Sequence, residues 1–181
     1  MDLPSWLFGL LVLALLSWYL SFSASRIDRL HHRVEGARSA LDAQLVRRAE
    51  SSVELATSGA LDPATGLLVA GAAADALDAG ERAGETGRET AESDLSRALQ
   101  VSLDAELVAD LRTDPVVASL LERLRASCHR VQLARRFHND AVTDATRVRA
   151  KPIARWARLA GRAQAPQTFE MDDEPPGALV R

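Results

Sequence analysis

Leu3-Pro-Ser-Trp-Leu-Phe-Gly-Leu-Leu-Val-Leu-Ala-Leu-Leu-Ser-Trp-Tyr-Leu-Ser-Phe22 decides the architecture of this chain. No charged side chain occurs from Leu3 to Ser25, and charges occur throughout the rest of the chain. About 20 apolar residues at ~1.5 Å each match the ~30 Å hydrocarbon core of a bilayer. Trp6 lies near one end of the run and Trp18 and Tyr19 near the other, where amphipathic rings settle at headgroup level. A cleaved signal peptide needs a basic n-region, but the early side chains offer only Asp2. Residues 1–25 are therefore expected to be a transmembrane anchor. Arg26, Arg29, Arg33 and Arg38 come after it, and no Arg or Lys precedes it. The positive-inside bias places the protein in the cell membrane as a single-pass chain with a cytoplasmic C-terminal domain.

Outward from the anchor the apolar pattern is helical. Ile27, Leu30, Val34, Ala37, Leu41, Leu45 and Ala49 recur at steps of three and four. This first helix is expected to run to about Ser58, with Gly59 as a stop. Asp62-Pro63 is a cap followed by a first-turn proline and starts a second helix, which reaches about Gly80 and is weakened by Gly66 and Gly71. After a glycine-rich turn, Leu95, Leu99, Leu103, Leu107 and Leu111 predict one continuous third helix. Asp114-Pro115 repeats the start signal. The long fourth helix carries Val117, Leu120, Leu124, Cys128, Val131, Ala134, Ala141 and Ala145, and Pro152 ends or bends it. No segment alternates as a strand does. The expected fold is all-α: the transmembrane helix, then an up-down bundle of long antiparallel, coiled-coil-like helices over residues 26–162. Helix lengths of roughly 50, 30, 40 and 55 Å would bring the end of the fourth helix back beside the start of the first.

Composition agrees. Hydrophobic residues make up 47% of the 181-residue chain but aromatics only 4%, so the soluble part must build its core from Leu, Val and Ala. The formal net charge of -3 excludes a globally basic nucleic-acid binder. Cys128 is the only cysteine, which rules out an intramolecular disulfide and a cysteine zinc cluster. It lies on the apolar stripe and reads as a small core residue. Asp75, Asp78, Glu81, Glu85, Glu89, Glu92 and Asp94 form an acidic stretch, read as a solvated face. Residues 163–181 hold Asp172, Asp173, Glu174, Pro175 and Pro176 and are expected to form a disordered acidic tail.

The search for chemistry is mostly negative. There is no strand to precede a phosphate loop and no nucleophile-elbow pattern. Asp28 and His31 approximate half of a bundle di-metal motif, without a partner. Neither a metal, a cofactor nor a catalytic residue is assigned. After Pro152, Ile153, Trp156, Ala157 and Ala160 fall on one helical face and Arg155, Arg158 and Arg162 on the other. Arg155, Trp156, Arg158 and Arg162 are thus candidates for contact with an anionic membrane surface. A helix docked on the bundle through Trp156 is the plainer reading.

Two blocks resemble the LemA family of bacterial membrane-anchored helical proteins. Residues 26–50 look like that family's post-membrane helix, with Val34, Glu35, Ala37, Asp42, Leu45, Arg47 and Arg48 at the matching positions. Residues 130–142 resemble its stretch in which an Ala-Arg pair precedes an aromatic-Asn-Asp motif, here Ala134, Arg135, His138, Asn139 and Asp140. Departures mark a divergent member: Ser51 to Leu55 replace an apolar-Pro-Asn-Leu continuation, His138 replaces a Tyr, and Ala145-Thr146 replace a Tyr-Asn pair. The resemblance implies a long-helix bundle behind an anchor and carries no catalytic residues. On physical grounds Asp42, Arg47, Arg48, Arg135, Asn139 and Asp140 are candidates for an interhelical polar network that fixes register.

The expected function is that of a membrane-anchored interaction or scaffold protein, not an enzyme. Its partners would be the lipid bilayer and an unidentified protein, not nucleic acid, and a homo-oligomer stays open. The alternatives are a small-ligand protein or enzyme using a polar cleft near His138, Asn139 and Asp42, and a sensor of anionic lipid surfaces.

Overall fold

A computed structural model describes residues 5–82, 85–150 and 165–180. Its helices are α1 (Ser5–Thr57), α2 (Pro63–Arg82), α3 (Glu85–Ser102), α4 (Ala105–Leu111), α5 (Pro115–Arg149) and the short α6 (Gly177–Val180). The described residues contain no strand, and the fold is all-α.

The helix boundaries follow local chemistry. α1 ends where Gly59 takes φ +80, a left-handed conformation that a side chain disfavours. Asp62 then accepts hydrogen bonds from the Ala64 and Thr65 amides at 3.0 and 3.1 Å, and Pro63 opens α2. A hydrogen bond from the Thr65 side chain, together with these amide bonds, holds the Asp62 carboxyl below its usual range. α2 runs through both of its early glycines. A Cβ on Gly66 would stand 3.0 Å from the Ala56 carbonyl oxygen, so the missing side chain is what lets α2 approach α1. Asp114 caps α5 through the Val116 amide at 2.8 Å, with Pro115 as its first residue.

The third helix departs from expectation. It is two helices, because Asp104 in extended conformation accepts from the Leu107 amide at 2.8 Å and starts α4. The four-residue leucine spacing survives the break: Leu95, Leu99, Leu103 and Leu111 are buried and Leu107 is half-buried.

The chain divides into two compact units, residues 1–37 with 139–168 and residues 38–138 with 169–181. In the first, Val34 packs with Ala141, Val142 and Ala145, flanked by Leu30 and Ala37. Arg149 donates to His31 Nε2 at 2.9 Å, and Arg33 reaches Asp144 at 3.5 Å. The end of α5 thus lies beside this stretch of α1, as the helix lengths require. Among the described residues no helix is long and apolar enough to cross a membrane. Side chains are described without a gap from Phe8 to Tyr19, and all of them are exposed.

In the second unit Ala49 and Leu55 of α1, Val69, Ala73 and Ala76 of α2, Leu95 and Leu99 of α3, Val108 and Leu111 of α4, and Leu121, Leu124 and Cys128 of α5 share one core. Alanines at the α2 face allow close helix approach. A smaller cluster joins Leu41, Leu45 and Val131 to Phe169. Where composition predicts a disordered tail, residues 169–180 cross this unit as an extended strap ending in α6. Phe169 and Leu179 are fully buried, and Pro176 is buried as well. Acids and prolines dominate the strap's composition, but Phe169, Pro176 and Leu179 turn inward, while Val180 is exposed.

Candidate functional site

The polar centre of the second unit is built on Arg48 and Glu92. Arg48 lies on the buried face of α1, one turn from Leu45 and Ser52. Glu92 precedes Leu95 and Leu99 by three and seven residues, so the helical period of α3 places it on the leucine face. Its reading as part of a solvated acidic face is therefore corrected: Glu92 is 1% exposed. The Arg48 guanidinium meets the Glu92 carboxylate at 2.6 Å and also donates to the Glu92 carbonyl at 2.9 Å and to Ser96 Oγ at 2.8 Å. Ser96 Oγ in turn donates a hydrogen bond to the Asp172 carbonyl of the strap at 2.7 Å. Burial pushes the Glu92 carboxyl above its usual range, although Arg48 and Arg88 pull the other way.

A second arm lies nearer the surface. Asp42 Oδ1 is 2.9 Å from Arg88 of α3 and 3.2 Å from Arg38 of α1. Arg88 runs past Gly80 of α2, where an added Cβ would sit 3.6 Å from the guanidinium. Arg38 stacks over the Phe169 ring at 4.9 Å, a cation–π contact that ties α1 to the strap. On α5, Arg135 Nε binds Asp173 at 2.7 Å.

Of the six residues expected to form one network, three have described interhelical or strap partners. Asp42 and Arg48 take part in the two arms just described, and Arg135 is held by the strap. Arg47 and Asp140 are exposed. Asn139 is half-buried, and its carbonyl accepts from Thr143 Oγ1 at 2.9 Å. The partners that complete the arrangement, Arg88, Glu92, Ser96 and Asp173, were not singled out from sequence. One signal pointed to two of them, since Glu92 and Ser96 interrupt the apolar face of α3 at helical spacing. Arg155, Trp156, Arg158 and Arg162 lie outside the described residues.

Comparison with known protein families, curated proteins and solved structures finds no match for this chain. What the site does must therefore be read from its own geometry. Arg48 and Glu92 neutralise each other out of contact with solvent, an arrangement suited to fixing helix register rather than to exchanging protons with a substrate. His138, which the alternative reading places in a polar cleft, is 2% exposed. Cys128 is 3% exposed, and burial raises its thiol pKa, which makes it a poor nucleophile. No group of acids, histidines and cysteine among the described residues is arranged to hold a metal. A cavity of about 470 Å³ opens between α5 and the strap, lined by Arg125, His129, Gln132, Glu174, Pro175 and Val180. The polar cleft expected from sequence was placed elsewhere, by His138, Asn139 and Asp42.

Proposed function

We propose that this chain is a membrane-anchored helical interaction module whose C-terminal domain faces the cytoplasm. One observation carries the reading. Leu10, Leu11, Val12 and Leu13 are four consecutive helical positions, and they are 60, 56, 47 and 63% exposed. Four consecutive residues turn through about 300° of a helix, so the apolar surface wraps α1 rather than forming a stripe. A partner helix covers one stripe, whereas a bilayer covers every side. Removing one such side chain from water is worth about 1.5–3 kcal/mol, and the run from Phe8 to Phe22 multiplies that preference. Trp6, Trp18 and Tyr19 at its ends suit the two interfaces, and the arginines after it suit the cytoplasmic side.

The resemblance to the LemA family of anchored helical bundles supports the same reading. An interaction role is favoured over catalysis because the charged groups at the centre of the domain are paired with each other. Crosslinking in intact cells, followed by detergent extraction, tests it. A defined complex that survives extraction is expected; repeated recovery of the protein alone would contradict it.

A further inference from the structure

Glu89, Ser93, Ser96 and Gln100 stand at steps of four, three and four along α3 and so form one polar stripe. Each of them bonds the backbone of the strap. Glu89 accepts from the Glu170 amide at 2.7 Å and Ser93 from the Asp172 amide at 3.1 Å. Ser96 donates to the Asp172 carbonyl at 2.7 Å and Gln100 to the Glu174 carbonyl at 2.8 Å. From the opposite wall, Gln132 of α5 donates to the Asp173 carbonyl at 3.0 Å. The strap residues from Phe169 to Pro176 have no regular secondary structure, and these five bonds all come from side chains.

Backbone bonding of this kind is how a groove holds an extended peptide, with side-chain pockets adding specificity. The pockets are present. Phe169 is fully buried beneath Arg38, and Asp173 is fixed by Arg135. Charge matching is local to α5: Arg135 faces Asp173 at 2.7 Å and Glu170 at 3.9 Å, and residues 169–180 carry four carboxylates and no basic side chain. The groove is also incompletely filled, because the cavity of about 470 Å³ continues it along α5.

We propose that the channel between α3 and α5 is a peptide-recognition groove, filled in this structure by the chain's own residues 169–180 and able to take the same segment from a second copy. None of the five backbone bonds depends on the segment being joined to the body it occupies. The resident strap then acts as an intramolecular competitor that must leave before a second copy can dock. The inference rests on the interaction-module reading of the domain and is independent of the anchor.

The test uses full-length protein in detergent and a fluorescein-labelled synthetic peptide of residues 167–181. In the Phe169→Ser/Asp173→Asn protein the resident strap is weakened while every groove residue is kept. Fluorescence anisotropy is expected to show that this variant binds the peptide at least tenfold more tightly than the unaltered chain. A peptide carrying Phe169→Ser should not bind. Equal affinity of the two proteins, with the variant's helical circular dichroism intact, would overturn the proposal. So would equal binding of a scrambled acidic peptide, because charge alone would then explain capture. If the variant does not fold, hydrogen exchange on the unaltered chain decides. The Glu170 and Asp172 amides should exchange at least tenfold faster than buried amides of α3 and α5, reporting a strap that opens by itself. Exchange at the core rate would show a fixed part of the core and overturn the groove. Crosslinking of the anchored protein separately decides the module reading.

Discussion

The Arg48 guanidinium of α1 and the Glu92 carboxylate of α3 meet at 2.6 Å, with each side chain 2% exposed. Such a pair gives up its hydration, so its net contribution to stability is small compared with the cost of breaking it. Its partners make it a junction: Ser96 links it to the Asp172 carbonyl, which brings α1, α3 and the strap to one point.

Removing one member of the pair should therefore cost more than removing both. Arg48→Met is expected to destabilise the folded state by about 3–5 kcal/mol, as is usual for a buried charge left alone. The double variant Arg48→Met/Glu92→Leu should recover at least half of that loss. Urea unfolding followed by circular dichroism measures both. A single-variant cost below about 1 kcal/mol, the level of an exposed pair, would show that the pair is hydrated.

The pH dependence has a definite sign. Glu92 is held above its usual range in the folded state, so the folded chain binds this proton more tightly than the unfolded chain does. Stability from this group is fully present below the unfolded carboxyl value near 4.5 and is lost as pH rises through the higher folded value. The stability of the unaltered chain relative to Glu92→Gln should accordingly fall as pH is raised from 4 into the neutral range. Denaturant midpoints of the two proteins at matched pH give the comparison. A difference that grows with pH would contradict the assigned direction.

Gly66 is a packing position rather than a weak point of α2. A methyl group there meets the Ala56 carbonyl oxygen at 3.0 Å, and neither backbone yields easily. Gly66→Ala should cost about 1–3 kcal/mol, the usual range for overpacking, despite alanine's higher helix propensity. Gly71, with nothing within 4 Å of an added Cβ, is the control. Gly71→Ala should stabilise by up to about 1 kcal/mol.

Phe169 separates an integral strap from a disordered tail. Its ring is fully buried against Leu41, Leu45 and Val131. Phe169→Ala is expected to cost about 3–5 kcal/mol, measured by thermal or urea unfolding. A change within about 0.5 kcal/mol, as at an ordinary surface position, would restore the compositional reading.

Much of the fold was legible because its signals are local. Asp62-Pro63, Asp114-Pro115 and Gly59 mark helix boundaries through bonds made within four residues, and the structure places the boundaries there. The Asp104 cap went unread because it breaks a helix without disturbing the four-residue leucine spacing across it. Glu92 went unread for a different reason. Counting charges from Asp75 to Asp94 gives an acidic stretch, whereas the register of α3 separates Glu92 from exposed neighbours such as Asp94. The strap shows the same contrast, because its acidic composition hides the spacing of Phe169, Pro176 and Leu179. At the site, Arg48 and Asp42 were identifiable as polar groups on a helix face. Their partners were not, since pairing between helices depends on relative placement that periodicity does not encode.

Topology of the intact protein tests the central reading most directly. A tag placed after Arg181 is followed through protease treatment of intact spheroplasts, with a cytoplasmic protein as control, and the membranes are then extracted at alkaline pH. The tag is expected to survive the protease and stay with the membrane after extraction. Digestion of the tag would contradict the cytoplasmic orientation, and release of the protein into the soluble fraction would contradict the anchor itself.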